Sequence, residues 1–511
     1  MGDVEFLFLL LVAAAVLVRV ADAISVPYPI VLVLGGLGVG FVPGLPDIQL
    51  QPEVIFLVFL PPLLHSAGWR SSPQELRAEI TPVAVLIGAL VVATIAGVAV
   101  VAHATVANMS WEAAVILGAV LSPTDPVAAL ATFGRIGVPA RMQLLVEGEA
   151  MLNDAVPLVV YKVTVAAAVS GGFSLGGASV DFFTAAVGGA AIGLAVGWAS
   201  RQVLLRLNDP PLAIFVSVLT AYLGYILAEE AGVSGVLGAV VAGVYGGWFA
   251  PTTLDADTRL SAYAFWEVLV FGLNATLFIL LGLQFPSQLD ELRGELSLGT
   301  LAGAGAAVSL TVIGLRMAFL LLPVRGLGDD VRQRVAIGWT GMRGAISLAA
   351  ALAVPLAVPE RPEILFLTVV VIFATLVGQG LTLPAVLRLL GVKGERQWSP
   401  DEAIARLEAA QSALDRLDEL EDEGATEEQL RRLRELYRAR FRQCQAVLAG
   451  DSSASEARNE PRLRYGQLRS ELIGVERAAL LGLRNDGRLR PDTLRVIQRD
   501  LDLEEARLRV A

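Results

Sequence analysis

From Val4 to about Leu390 the chain is a succession of apolar runs separated by short polar stretches; beyond that point charged residues dominate, with leucines at helical spacing. A run of roughly 17 to 25 apolar residues matches a helix that crosses a bilayer. By that measure the sequence predicts about thirteen spans, near 4–18, 26–43, 53–68, 80–102, 111–133, 142–169, 180–200, 211–228, 233–249, 263–285, 298–322, 333–358 and 363–388. In the polar part Ile404, Leu407, Leu414, Leu417 and Leu420 recur at helical intervals, followed by Leu430, Leu433, Leu436 and Phe441. After Pro461 come Leu463, Leu468, Leu472, Val475 and Leu481. The expected fold class is all-α: a polytopic membrane protein, with residues 1–390 as a transmembrane domain and 394–511 as a soluble helical C-terminal tail.

Composition agrees with two regions in different solvents. The 511 residues are 55% hydrophobic and only 17% charged, with a mean hydropathy of +0.64, far more apolar than a soluble chain of this length requires. The net charge of −11 averages over unlike parts and identifies no partner. Cys444 is the only cysteine, which excludes an intramolecular disulfide and a cysteine-based metal cluster. The first apolar run lacks the basic flank and small-residue cleavage pattern of a signal peptide and is read as a mature span. No nucleotide motif is present, and nothing calls for a cofactor or for nucleic acid.

Orientation follows from the basic residues. With the N-terminus outside, the inner connections hold Arg19, then Arg70 and Arg77, Arg135 and Arg141, Arg201 and Arg206, Arg259, and Arg325, Arg332 and Arg334. The outer connections hold little beyond Arg293 and Arg361. An odd number of spans then places the tail in the cytoplasm.

Within this apolar framework the stretch "LSPTDPVA" at 121–128 is anomalous, because Asp125 stands between Pro123 and Pro126. The prolines supply no N–H and leave the carbonyls of Ala119 and Ser122 without helical partners. Bare backbone at membrane depth is tolerated only where protein buries it or a watery cavity receives it. The fifth span is therefore expected to be a broken helix, whose half-helix ends carry the partial charges that secondary transporters use to hold ions. Asp125 would neutralise the positive end and Thr124 would offer an oxygen. The plainer reading is a proline kink with Asp125 capping the second half-helix, and on this motif alone both readings stand.

The sixth span, "EGEAMLNDAVPLVVYK", adds Glu147, Glu149, Asn153 and Asp154. Glu149 and Asn153, four apart, share a helix face, whereas Asp154 is turned about 100° from Asn153. Pro157 frees the carbonyl of Asn153. Glu147, near the cytoplasmic end, is expected to be solvated or paired with Arg141. Arg316, a base inside the eleventh span, needs an acid, and Glu149 is the expected partner. That leaves Asp154 without an evident cation, a setting in which desolvation favours proton uptake. Lys162, two turns on, is expected to snorkel outward.

"LSPTDPVA", "EGEAMLNDA", "GMRGAISLAAAL" at 341–352, "GGLGVGFVPGLP" at 35–46, "FLPPLLHSAGW" at 59–69 and "VGQGLTLPAVLRLLGV" at 377–392 together resemble, in order and spacing, the monovalent cation:proton antiporter 1 family, in its bacterial sodium/proton branch. The resemblance covers the whole membrane part. It implies thirteen spans in two inverted six-helix repeats, a core domain moving against a dimerisation domain, a homodimer in the lipid of the bacterial inner membrane, and fifth and twelfth spans that are broken helices crossing one another. It further implies that Asp154 carries Na+ (or K+ or Li+) and H+ in turn, supported by Asn153, with Asp125 and Thr124 at the crossover also facing the cation. Glu149 and Arg316 would form a structural ion pair, and Arg343, with Pro123 and Pro126, would shape the crossover or its gate. Asn153 stands where electrogenic relatives carry a second aspartate, which implies one cation per proton.

Two departures from the family pattern bear on selectivity. Ala150 follows Glu149 where relatives commonly carry serine, and His65 and Ser66 follow "PPLL" where many relatives place an acid. A lone histidine in a helix is more often packing than a pH sensor, and His103 reads as a loop or helix-end residue. Three function classes compete at this stage: the antiporter, potassium-selective in one variant; a gated cation channel, which would need rings of acids or carbonyls along a continuous pore; and an intramembrane aspartyl protease, whose two acids share one proton and whose sequence contexts are missing. Flux that saturates and couples to a pH gradient separates the first from the second. The tail reads either as a solvated charged bundle or as a regulatory or dimer-supporting element.

Overall fold

The computed structural model describes residues 3–42, 57–71, 86–170, 175–207, 209–292, 297–322, 330–392, 400–422 and 427–449, with scattered positions after 468. Among them all regular structure is helical. The chain divides into two compact units, Met1–Gly394 and Glu395–Ala511.

In the first unit helix occupies part of every apolar interval of the sequence: α1 (Asp3–Ala23), α2 (Tyr28–Gly40), α3 (Leu60–Arg70), α4 (Val91–Thr105, preceded by a π turn at Leu86–Leu90), α5 (Trp111–Leu121), α6 (Val127–Ile136), α7 (Ala140–Ser170), α8 (Leu175–Leu204), α9 (Pro210–Glu230), α10 (Gly235–Thr253), α11 (Ala256–Leu292), α12 (Leu298–Leu321), α13 (Val331–Trp339), α14 (Ala345–Leu352), α15 (Arg361–Ile372) and α16 (Gly380–Leu389). A π-helical turn, Phe373–Gln379, joins the last two. Among the described residues seven helices are long and apolar enough to cross a membrane, and shorter apolar helices stand beside them. Two of the shorter ones are consecutive, α5 and α6, the halves of the fifth span.

Local chemistry sets the boundaries. Ser110, Asp209, Ser234, Ser297 and Asp330 each accept a backbone N–H of the first turn that follows, filling one of the donors a helix start leaves open. Gly137 ends α6 in the left-handed region at φ +74°, the usual helix stop. Packing then depends on close approach. A Cβ at Gly282 of α11 would stand 2.1 Å from the carbonyl oxygen of Val33 in α2, and one at Gly36 would stand 2.2 Å from that of Ile279. Small residues of this kind let membrane helices draw their backbones together, where van der Waals contact rather than water drives association. Around that pair the core gathers α5, α12, α14 and α15, with Ile116, Leu117, Val308, Leu348 and Ile364 fully buried.

Lys162 differs from expectation. It does not snorkel: its ammonium contacts Glu229 of α9, the carboxylate that also accepts the N–H of Gly235 at 2.9 Å. A carboxylate within reach at partial burial outweighs the outward route to water.

In the second unit α17 (Pro400–Asp422) and α18 (Glu427–Leu448) pack on one another. Their seam takes only part of the expected leucine set, Leu417 and Leu430, together with smaller residues. Ala403, Ala410 and Leu417 are buried on α17, seven residues apart, and Leu430 and Cys444 on α18, whereas Ile404, Leu433 and Leu436 are exposed, as are Leu472 and Val475. Two helices that approach at short range favour alanine at the contact, and the other expected leucines flank it. Arg434 reaches across to Asp418, at 2.8 Å, and to Glu421.

Candidate functional site

The fifth span is interrupted as its prolines dictate. Helix stops at Leu121 and resumes at Val127, and the residues between them are largely buried. Several polar groups freed by the break find protein partners on other elements. The carbonyl of Ser122, stranded by Pro126, accepts the side-chain N–H of Asn153 at 3.2 Å, and the same amide nitrogen donates to the Thr124 hydroxyl at 3.3 Å. The N–H of Asp125 donates to the carbonyl of Met342 at 2.8 Å. Ser347 stands 3.5 Å from the carbonyl of Pro123.

Met342, Ala345 and Ser347 belong to a second interruption, between α13 and α14, where residues 340–344 leave the helical path. The two breaks therefore cross. One carboxylate serves both: Asp125 Oδ1 accepts the N–H of Val127 at 2.9 Å, and Oδ2 accepts that of Ala345 at 3.3 Å. These are the first residues of α6 and α14, so a single carboxylate sits on two positive half-helix ends. Asp125 is thus the cap of its own half-helix and, equally, of the partner's. The approach is tight enough that residue 344 has no room for a side chain: a Cβ at Gly344 would stand 1.8 Å from Asp125 Oδ2. Arg343 is buried beside this point, and its backbone N–H donates to Thr375 in the π turn at 3.1 Å. Such turns are frequent at functional sites.

The opposite, negative end of the second broken helix is answered by Arg316. Its guanidinium donates to the carbonyls of Gly338 and Ile337, each at 3.2 Å, and makes a two-pronged contact with both carboxylate oxygens of Glu149, the Nη2 branch at 2.8 Å. Both side chains are almost fully buried. The glycine of the same motif again makes the space, since a Cβ at Gly341 would stand 2.2 Å from Arg316 Cδ. Glu149 and Asn153 thus use one face of α7 to grip the two broken helices, Glu149 through Arg316 and Asn153 through Ser122 and Thr124. Asp154 follows on the next position of α7; its side chain lies outside the described residues. Ala150, buried, is three residues from Asn153 on the same helix.

A helix pair broken at mid-span, crossed, and held by intramembrane acids is the architecture of a secondary transporter, and comparison gives it a family. Residues 7–389 match the family model described as sodium/hydrogen exchanger, transmembrane. The chain belongs to the sodium/hydrogen exchanger family. An uncharacterized Na(+)/H(+) exchanger of Mycobacterium tuberculosis is 33% identical over 94% of this chain and 91% of its own length. The Na(+)/H(+) antiporter ApNhaP of Aphanothece halophytica is 31% identical over 77% of this chain and 75% of its own. The solved structure of the sodium proton antiporter MjNhaP1 from Methanocaldococcus jannaschii superposes with a TM-score of 0.62, covering 76% of this chain and 98% of that one at 20% identity, a likeness of fold.

In this exchanger the sequence reading missed four participants at the crossover: Gly341, Gly344, the Met342 carbonyl and Thr375. The glycines carried a signal, because paired glycines inside an apolar helix weaken it unless a backbone or a ligand approaches closely. The partners of Met342 and Thr375 had none. His65, in contrast, is buried between the rings of Trp69 and Trp266, with centroids 6.2 and 5.2 Å away, and His103 lies in the last turn of α4 with Nδ1 2.6 Å from the Met109 carbonyl oxygen.

Two predictions arise from this geometry. Removing Glu149 or Arg316 alone strands a buried charge and should cost roughly 3 to 5 kcal/mol, whereas the double variant Glu149→Gln/Arg316→Met should lose clearly less than the sum, measured by thermal unfolding of the purified protein. Gly344→Ala should displace the Asp125 carboxylate from the Ala345 N–H and lower stability by about 1 to 3 kcal/mol, while Gly303→Ala, where a Cβ meets open space within α12, should not lower the unfolding midpoint.

Proposed function

We propose that the protein is a secondary active antiporter that exchanges Na+ for H+ across the membrane by alternating access, one cation for one proton. The observation that carries the reading is the shared Asp125 carboxylate at the crossing of two half-helix N-termini, with Thr124 and Asn153 gathered beside it. In this reading Asp154 is the carrier: deprotonated it holds the cation, and protonated it returns without it. Asn153 fixes the local backbone through its amide N–H and keeps its buried side-chain oxygen, which has no protein donor, for the cation. Thr124 supplies a further oxygen, and Asp125 adds negative charge while holding the half-helices together. Glu149 and Arg316 neutralise one another and stand outside the exchange, so the amide at residue 153 leaves Asp154 as the titrating group and the cycle electroneutral. Arg343, Pro123 and Pro126 shape the crossover.

The names of the relatives support sodium as the cargo, the family resemblance supports a homodimer in the bacterial inner membrane, and the basic residues of the inner connections support an outside N-terminus with the tail, 394–511, in the cytoplasm. Ala150 points to a looser selectivity. Sodium sheds water only for enough oxygen ligands at short range, the logic that separates cations by ligand number and cavity size. Alanine at this buried position withholds the hydroxyl that serine would bring, and water filling the gap lets a larger cation in.

Asp154→Asn should abolish exchange while the protein still folds, because an amide can neither release a proton nor pair with a cation. Proton-coupled Na+ flux in proteoliposomes tests this, and retained flux in that variant would overturn the assignment. In the same assay, with leaks controlled, an imposed Na+ gradient should move protons without generating a membrane potential. Ala150→Ser should lower the half-saturating Na+ concentration more than that for K+, by about tenfold at most, the effect of one ligating hydroxyl; unchanged dependence on both cations would place residue 150 away from the bound ion.

A further inference from the structure

Helices α3, α8, α9 and α10 pack on one another as one bundle, and α4, α5, α12 and α15 as another; α7 lies between them, packed on α5 in the second and on α8 in the first. With Glu149 and Asn153 it grips the crossover. Lys162, nine positions beyond Asn153 and so about half a turn round the helix, reaches the other way, to Glu229 in the last turn of α9. Glu229 is built into the first bundle. Its carboxylate accepts the N–H of Gly235, the first residue of α10, at 2.9 Å. The neighbouring Ser234, fully buried, donates its own N–H to the carbonyl of Ala185 in α8 at 3.1 Å. A Cβ at Gly235 would stand 2.8 Å from Glu229 Cγ, so the turn between α9 and α10 is shaped around this side chain.

The two ion pairs of α7 differ in a way that gives them different roles. The side chains of Glu149 and Arg316 are only 2% and 3% exposed, so parting them would leave two charges with neither partner nor water. Those of Lys162 and Glu229 are 26% and 34% exposed. Water takes over both ends when this pair parts, and Glu229 keeps the Gly235 N–H. Pairs with access to water are also weak, as a contact that breaks and re-forms must be. The lysine stem gives reach and the fixed carboxylate gives the seat. We propose that Lys162 and Glu229 form a latch between α7 and the bundle of α8, α9 and α10, closing the outer side of the ion path in this conformation and parting once in each exchange cycle. The proposal rests on the alternating-access reading above, in which α7 and the crossover move against the neighbouring bundle. In the orientation given there Lys162 lies about 12 Å outward of residue 154 along α7, where a closure on the outer side must stand.

The test is exchange by the full chain in proteoliposomes of one prevailing orientation, with Na+ presented on one face or the other. Glu229→Gln keeps an oxygen for the Gly235 N–H and removes the charge. It should lower the half-saturating Na+ concentration on the outer face about two- to fivefold, the weight of a partly exposed ion pair, because the outward-open population grows. On the inner face that concentration should not fall. Lys162→Met should act in the same way, and the double variant should do no more than either single. A fold merely weakened loses rate on both faces and shows no such asymmetry. Outer half-saturation unchanged in both variants, or singles that add in the double, overturns the latch. A second measurement uses Cys444→Ser, which removes the only cysteine. In that background Lys162→Cys with Glu229→Cys, joined by a short bis-methanethiosulfonate, should stop exchange, and a reductant should restore it. Either cysteine alone, treated alike, should keep exchanging. Full exchange with the link in place overturns the proposal whatever the kinetics. Exchange retained in Asp154→Asn would instead overturn the carrier reading, an outcome separate from these.

Discussion

A helix that breaks inside a membrane leaves N–H groups at the start of one half and carbonyls at the end of the other, and lipid satisfies neither. This chain breaks two helices at the same depth and lets each repair the other. Asp125 takes one N–H from α6 and one from α14. Backbone joins backbone from Asp125 to Met342. The carbonyls at the end of α13 go to Arg316, and that of Ser122 goes to Asn153. Remove any of these partners and the break becomes a cost without a compensating contact, which is why so few alternatives to these residue types would serve.

Because α7 supplies Asn153 and, through Glu149, orients Arg316, it is the strut on which both broken helices hang. Its Pro157 lies four residues beyond Asn153 and loosens the helix just past the grip. The two gripping residues, four positions apart, stand on one side of the strut. Glu149 thus has its cation from Arg316, and α7 carries that ion pair and the Asn153 grip on one face.

Much of this was legible in the sequence because membrane chains obey strict rules. The apolar runs located the helices, and two prolines around Asp125 marked where the first break falls, though that motif alone left a simple kink open. A lone arginine in an apolar span demanded an acid, and Glu149 was the one at hand. The second break was harder to see: residues 340–344 contain no proline, and the chain leaves the helix there on two glycines whose purpose is the space they give Asp125 and Arg316. Lys162 misled because Glu229, 67 positions away, could not be known to face it. The tail was legible in part: Leu417 and Leu430 lie in its seam, but leucine spacing marks a face and not which residues at its centre are small enough to touch.

The contact between Asp125 and Ala345 spans 220 positions of the chain. During synthesis the first broken helix emerges long before the second exists, so for most of that time Asp125 and the open end of α6 have no counterpart. Contacts of such separation are the last to form in a fold. The crossover can therefore close only once α14 has been made, and a chain cut short before α14 leaves the first broken helix without the partner that caps and completes it.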